Sequence, residues 1–176
     1  MSLIDKARIT GALDPESTDR NTGWFNTPHG VIYVDMPIIS HIWGNFWVGG
    51  VEPYVILPGH FKYVVSLYDE DDFTIGHELS SRVFYKMVDS KGQNLDKVDD
   101  IARAAWGFGL LGDTLIHCQA GMNRSALVMS RVLQMSGLTP RESVDMIREK
   151  RSEACLNNPA FERWTIEHPY DGGGVS

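Results

Sequence analysis

The spacing of apolar positions along the chain predicts strands that alternate with helices. Short apolar runs rich in β-branched residues indicate strands, and the most compact is residues 63–67, Tyr-Val-Val-Ser-Leu. Apolar residues recurring every three or four positions predict a helix over residues 95–111, with Asn94 as its N-cap. Further strands are predicted at residues 30–34, 41–48, 83–88 and 114–116. This order predicts an α/β fold, a single domain with a mostly parallel central sheet flanked by helices.

Two later helices are marked by their ends and by their apolar content. Residues 126–135 are apolar nearly all round, which predicts a central buried helix ended by Gly137. Thr139-Pro140-Arg141-Glu142 is a capping box, with proline at the first helical position, and predicts a last helix running to about Lys150. Residues 5–27 are polar and rich in turn formers, which predicts an irregular lead-in. The chain is therefore divided into an N-terminal arm (1–30), a folded domain (31–170) and a tail (171–176).

Charge and cysteine content narrow the possible settings and partners. The 176 residues carry a net charge of −7, which argues against nucleic acid or an anionic membrane as the main partner. Two cysteines do not make a disulfide framework and favour a reducing compartment. With no leader pattern and no membrane-length apolar stretch, we expect a cytoplasmic protein. The histidines and cysteines show no ligand-like spacing, so we expect no metal and no cofactor.

The segment 117–125, His-Cys-Gln-Ala-Gly-Met-Asn-Arg-Ser, lies between a predicted strand and a predicted helix. A strand–loop–helix of this kind directs backbone N–H groups and the positive helix end at one point, which suits an oxyanion. The same field favours a thiolate at Cys118. Arg124 offers a planar fork of donors that matches a phosphate group. A nucleophile, an anion site and a clamp together predict phosphoryl transfer through a cysteine.

This segment resembles the signature loop of the cysteine-dependent protein tyrosine phosphatases, His-Cys-x5-Arg-Ser/Thr, and matches its defining positions. The resemblance implies that Cys118 is the nucleophile, that Arg124 stabilises the transferred phosphate and that Ser125 helps the sulfur to leave. His117 is expected to fix the loop backbone from behind. The phosphate-binding positions implied are Gln119, Ala120, Gly121, Met122, Asn123 and Arg124.

A leaving alkoxide or phenoxide needs a proton, so the reaction requires an acid on a neighbouring loop. The candidates are Asp89 and the acidic cluster at residues 69–72, and both follow predicted strands whose carboxyl ends face the binding crevice. In dual-specificity phosphatases the acid lies about thirty residues before the cysteine. The interval here, 118 − 89 = 29, favours Asp89, with Asp72 as the reserve candidate.

The likeness to the compact dual-specificity type extends over about residues 38–168 and implies that residues 31–170 are a phosphatase catalytic domain. In the exit segment of the predicted last helix, Ser152 and Asn157 stand where the family usually has prolines. The implied activity is hydrolysis of phosphotyrosine, with phosphoserine and phosphothreonine as further candidates, through a cysteinyl-phosphate intermediate.

The chemistry of the substrate is indicated by the variable loop positions, which are all neutral. Lysines there would bind the extra phosphates of an inositol phosphate, so their lack favours a phosphorylated protein over a phosphoinositide. Three alternatives stay open: a phosphoinositide phosphatase, an RNA 5′-triphosphatase, and a phosphoprotein-binding domain without turnover. The sequence carries no signal for an oligomeric state.

Overall fold

The computed structural model describes residues 20–51 and 55–172. Its main sheet has five strands, which lie in the order β3 (Ile39–Trp43), β4 (Phe46–Gly49), β7 (Thr114–His117), β5 (Tyr63–Ser66) and β6 (Ser81–Phe84). Only β3 and β4 pair antiparallel, and the other three pairings are parallel. The predicted α/β fold with a mostly parallel sheet is therefore confirmed. In chain order the elements are β1 (Arg20–Thr27), β2 (Gly30–Pro37), β3 (Ile39–Trp43), β4 (Phe46–Gly49), β5 (Tyr63–Ser66), β6 (Ser81–Phe84), α1 (Val98–Gly109), β7 (Thr114–His117), α2 (Arg124–Met135), α3 (Pro140–Lys150) and α4 (Pro159–Glu167).

The core lies on both faces of the sheet because neighbouring residues of a strand point to opposite sides. Val65 and Ile116 pack among the helices, whereas Val64 and Leu115 pack against the segment at residues 55–61. Helix α2 contacts β4, β7 and all three other helices, and its residues from Arg124 to Gln134 are buried. The six apolar residues from Ala126 to Leu133 suit a helix covered on every side, and the predicted central buried helix is confirmed, although it also buries polar side chains such as Ser130 and Arg131.

The register of the parallel strands brings three chain exits to one edge of the sheet. His117, the last residue of β7, pairs with Gly49 of β4 and with Ser66 of β5. The chain leaves β7 at this edge and enters α2 at Arg124, so the predicted strand–loop–helix setting of segment 117–125 is confirmed. This is the carboxyl edge of the sheet, where open α/β folds form their binding crevices.

Three predicted elements have different bounds in the structure. Helix α1 begins at Val98 rather than near residue 95, and Asn94 is not its N-cap; Asn94 Oδ1 instead accepts the Asp96 N–H at 2.8 Å in a local turn. The predicted strand at 41–48 is two strands, because Gly44 with φ +54° makes a turn between β3 and β4. The predicted strand at 83–88 ends as β6 at Phe84.

The N-terminal lead-in is not irregular throughout, as the prediction had it. Strand β1 pairs antiparallel with β2 along all of its eight residues, whereas residues 5–19 of the predicted lead-in lie outside the described ranges. Val34 and Met36 of β2 are buried and pack with Met122 of segment 117–125. The sequence of β1 has no alternation of apolar and polar residues, since Trp24 and Phe25 are adjacent, so it carried no strand signal. The domain boundaries at residues 30 and 170 stay predictions.

The prediction that the helix ending at Lys150 is the last one is wrong, because α4 follows it. Asn158 caps α4, since its Oδ1 accepts the Ala160 N–H at 3.0 Å, and Pro159 occupies the first helical position. The capping box that opens α3 at Thr139 is confirmed. Within the described ranges, no helix has both the length and the apolar content needed to cross a membrane.

Candidate active site

The Cys118 sulfur lies at the carboxyl end of β7, where the residue is 2% exposed. The Gly121 N–H donates to Sγ at 3.2 Å, and the Ser125 hydroxyl oxygen lies 3.3 Å from Sγ. Ser125 belongs to the first turn of α2, whose positive end faces the same loop. The sulfur therefore has a backbone donor, a hydroxyl group and a helix N-terminus beside it, which is a surrounding that suits a sulfur anion.

The turn of the loop depends on Gly121, whose φ is +69°. A Cβ at this position would overlap the backbone of Gly49 and the guanidinium of Arg151. The Arg151 Nε donates to the Gly121 carbonyl oxygen at 2.6 Å. Close packing of backbone against backbone is what requires glycine here.

The buried side chain of Arg151 connects the loop to strands of the sheet through hydrogen bonds. Burial lowers the pKa of Arg151. Its described acceptors are uncharged oxygens, so its positive charge remains close to the loop and adds to the field that favours an anion there. Besides Gly121, these acceptors are the carbonyl oxygens of Ala120 (3.3 Å), Pro37 (3.0 Å), Ile38 (3.4 Å) and Val48 (3.4 Å) and the hydroxyl of Ser40 (2.9 Å).

The guanidinium of Arg124 has one nitrogen that donates to the protein backbone and another that has no partner among the described residues. Its Nη1 donates to the Met87 carbonyl oxygen at 3.2 Å, and its guanidinium lies 5.2 Å from the centre of the Tyr68 ring. Its Nε is buried and has no hydrogen-bond partner within the described ranges. A fixed guanidinium with an unpaired donor is suited to bind an oxyanion. Sequence reasoning missed Tyr68, whose one signal is its place two residues after the end of β5.

His117 is connected to a charged pair behind the loop. Its Nε2 lies 2.7 Å from Ser66 Oγ, which also accepts from Arg82 Nε (3.0 Å) and Nη2 (2.8 Å). Ser66 therefore links the His117 ring to the guanidinium of Arg82. Burial and then the positive charge of Arg82 lower the pKa of His117 to about 4, so the ring is neutral near pH 7. The role of His117 in fixing the loop backbone stays a prediction.

Two residues of the acidic cluster at 69–72 have different surroundings: Asp72 belongs to the network of Ser66 and Arg82, and Asp71 faces a cavity. Asp72 pairs with Arg82 at 2.6 Å; burial alone would raise the pKa of Asp72, but the Arg82 hydrogen bond and charge outweigh it and lower the pKa. Asp71, from the same cluster, instead lines a cavity of about 440 Å³ with Asp89 and Arg124. The other lining residues are Phe25, Asn26, Thr27, Pro28, Val51, Gln119, Ala120 and Met122.

Asp89 is tied directly to the loop. Its Oδ2 accepts from Asn123 Nδ2 at 2.8 Å, and its Oδ1 accepts from Asn158 Nδ2 at 2.9 Å and lies 2.9 Å from His29 Nε2. Sequence reasoning missed the contacts of His29 and Asn158 with Asp89. Asn158 had a signal, since Asn-Pro in the exit segment marks a helix start, whereas His29 lies in the predicted arm and had none.

The structure thus brings the predicted nucleophile, clamp, acid and loop positions to one side of the sheet. Four of the predicted phosphate-binding residues line the cavity: Gln119, Ala120, Met122 and Arg124. The Asn123 side chain instead donates a hydrogen bond to Asp89. In the described ranges, no three histidine, cysteine or acidic residues are grouped as metal ligands would be.

No family model and no curated protein matches this sequence. Solved structures do match it. Human DUSP28 is 14% identical, with a TM-score of 0.63 over 76% of this chain and 93% of that one. The human tyrosine phosphatase-like serine/threonine/tyrosine-interacting protein is 16% identical, with a TM-score of 0.58 over 74% and 94%. PTPMT1 in complex with PI(5)P is 16% identical, with a TM-score of 0.54 over 74% and 96%. The chain therefore has the fold of the compact dual-specificity phosphatases, and the resemblance carried by segment 117–125 is confirmed at the level of fold.

Proposed function

We propose that this protein is a cysteine-dependent phosphatase that hydrolyses phosphorylated proteins, phosphotyrosine in the first place, through a cysteinyl-phosphate intermediate. The observation that carries the proposal is the Arg124 guanidinium, which is anchored to Met87 yet keeps a buried Nε that has no acceptor among the described residues. A buried donor without a partner costs about 1–3 kcal/mol, which a bound phosphate oxygen would recover.

In the first step, the Cys118 sulfur attacks phosphorus in line with the leaving group. The S–P bond forms with the sulfur's electron pair, the P–O bond breaks, and Asp89 gives its proton to the departing oxygen. Arg124 stabilises the negative charge that spreads over the phosphoryl oxygens in the transition state. Asp89 lines the same cavity as Arg124, which supports its assignment as the acid.

In the second step, water replaces the sulfur on phosphorus. Asp89, now a carboxylate, takes a proton from the water, the new P–O bond forms, and the electron pair of the S–P bond returns to sulfur. The Gly121 N–H, 3.2 Å from the sulfur, and the Ser125 hydroxyl, 3.3 Å from it, both donate to the departing thiolate and stabilise it. Inorganic phosphate is released, and Asp89 is protonated again.

The lining of the cavity supports a singly phosphorylated substrate. Gln119, Ala120 and Met122 are neutral, and Asp71 adds a carboxylate to the rim. Extra phosphates of a phosphoinositide would meet this carboxylate and none of the lysines that bind such groups, since lysine does not line the described cavity. A phosphorylated side chain of a protein is therefore the favoured substrate.

The test is a turnover assay on a small aryl phosphate, a phosphopeptide panel and a phosphoinositide panel, each with wild type and with Cys118→Ser. We expect Cys118→Ser to abolish turnover and keep phosphopeptide binding, while Cys155→Ala, the matched control at the other cysteine, remains active. Turnover by pure Cys118→Ser would remove the mechanism. Wild type that binds phosphopeptides without turnover would be a binding domain, and faster hydrolysis of phosphoinositides would change the substrate class.

A further inference from the structure

The turn of the β1–β2 hairpin places a histidine against the candidate acid. His29 Nε2 lies 2.9 Å from Asp89 Oδ1, and the His29 side chain is 3% exposed. The hairpin is held there because Val34 and Met36 of β2 pack on Met122 of the loop. A residue sixty positions before Asp89 thus belongs to the immediate surroundings of the proton that the reaction needs.

The two amide partners of Asp89 have fixed orientations. Asn158 Oδ1 accepts the Ala160 N–H at 3.0 Å, and Asn123 Oδ1 accepts the Asn158 N–H at 3.0 Å. The Nδ2 group of each asparagine therefore faces Asp89 and can only donate to it. His29 differs from both amides, because an imidazole nitrogen can donate or accept according to its tautomer.

The tautomer of His29 follows from its other nitrogen. Nδ1 is buried and has no hydrogen-bond partner within the described ranges. A proton on Nδ1 would be a buried N–H without an acceptor, whereas a proton on Nε2 is directed at Asp89 Oδ1. The arrangement therefore favours the ring that donates to Asp89.

A carboxyl oxygen has two positions for hydrogen bonds. Because His29 and Asn158 both donate to Asp89 Oδ1, both positions of this oxygen are filled. Oδ2 accepts only from Asn123 among the described residues, so one of its positions remains for a proton. We infer that His29 is a positioning residue for the acid Asp89: it fills Oδ1, so that the transferable proton is carried by Oδ2.

This inference rests on the proposed phosphatase function, and it adds no proton to the reaction. Oδ2 gives its proton to the leaving-group oxygen in the first step and takes one from the attacking water in the second. His29 keeps its own proton throughout. Its contribution is the orientation of the carboxyl group, which should appear only where the leaving group needs a proton.

The experiment compares kcat for aryl phosphates with poor and with activated leaving groups in His29→Ala, His29→Gln and Asp89→Asn. His29→Ala should lose about tenfold or more on poor leaving groups, a part of what the acid itself contributes, and little on activated ones. His29→Gln should keep most of the activity, because its amide nitrogen can donate from the place of Nε2. The matched control is His60→Ala, whose Nδ1 lies 2.9 Å from Asp113 next to the opposite, amino end of β7 and should not matter.

The double variant separates positioning from general support of the fold. In the Asp89→Asn background, His29→Ala should add no further leaving-group-dependent loss, because the two residues act as one unit. An equal loss by His29→Ala on both kinds of substrate, or a failure of His29→Gln to restore activity, would overturn the inference. If Asp89→Asn shows the dependence and His29→Ala does not, only the inference falls. If Asp89→Asn shows none, the acid assignment falls with it.

Discussion

Arg151 Nε donates to the carbonyl oxygen of Gly121 at 2.6 Å, so the residue directly after α3 holds the turn of the loop that contains Cys118. On its other side, Gly121 donates its N–H to the Cys118 sulfur at 3.2 Å. The donor that faces the sulfur is thus placed by a guanidinium thirty residues further along the chain. Support of this kind couples the stability of the fold to the chemistry of the loop.

Replacing Arg151 should therefore lower both stability and activity. Arg151→Met keeps the bulk of the side chain but leaves its buried oxygen acceptors unpaired, and we expect the free energy of unfolding to fall by about 2–4 kcal/mol. Denaturant unfolding measures this loss, and kcat should fall with it. The control is Arg141→Met, because the Arg141 side chain is 62% exposed and should contribute little. Equal stability of the two variants would contradict the role given to Arg151.

Arg124→Lys should keep the charge and lose the planar fork. Because lysine donates from a single nitrogen and cannot make the parallel two-nitrogen contact of a guanidinium, we expect kcat to fall at least about a hundredfold, the effect of losing one directed donor. Steady-state kinetics on an aryl phosphate measures this. The control is Arg103→Lys, which should behave as wild type, because Arg103 pairs with Asp100 on the surface of α1. A nearly unchanged Arg124→Lys enzyme would show that the phosphate is bound elsewhere.

The three candidate carboxylates should separate by their response to the leaving group. Asp89→Asn should reduce kcat by about a hundred- to ten-thousandfold on poor leaving groups and far less on activated ones. Asp71→Asn, which also lines the cavity, and Asp72→Asn, which weakens the pair with Arg82, should show no such dependence. Kinetics on a series of aryl phosphates decides among them. A leaving-group-dependent loss in either of those variants, without one in Asp89→Asn, would reassign the acid.

His117 should make the fold less stable in acid. Burial and the charge of Arg82 lower its pKa to about 4, so between about pH 6.5 and 4 the unfolded chain takes up a proton that the folded chain does not. Stability is therefore fully present above pH 6.5 and decreases as the pH falls toward 4, by about 3 kcal/mol in total. In denaturant unfolding across this range, wild type should lose more stability than His117→Gln, which has no titrating ring. Parallel losses in the two proteins would refute this account.

Cys155 should not trap an oxidised Cys118. Burial raises the pKa of the Cys155 thiol to about 11, which keeps it protonated, and the thiolate is the species that attacks another sulfur. Both cysteines are free thiols in the structure. After mild peroxide we expect inactivation through Cys118 with no Cys118–Cys155 linked peptide in the mass spectrum. The rate should be unchanged in Cys155→Ala, and a linked peptide would establish a redox switch instead.

What the sequence determined by itself are the features that depend on neighbouring residues. Segment 117–125, the capping box at Thr139 and the largely apolar helix α2 each have a local pattern, because a cap, a turn and a helical face involve residues within one or two turns of the chain. A local pattern predicts the wrong structure where the same residues can also form a turn as short as the predicted cap. Asn94 has the chemistry of an N-cap, but its side chain closes a turn on Asp96, and the helix starts later.

Only the tertiary structure decided which distant residues meet at this loop. The crossovers that give the order β3-β4-β7-β5-β6 bring Asp71 to the cavity while Asp72 pairs with Arg82. They also place Arg151 under the Gly121 turn, and the packing of β2 on Met122 places His29 beside Asp89. Contacts between residues far apart in the chain are set by strand order and core packing, which leave no periodic trace near either partner.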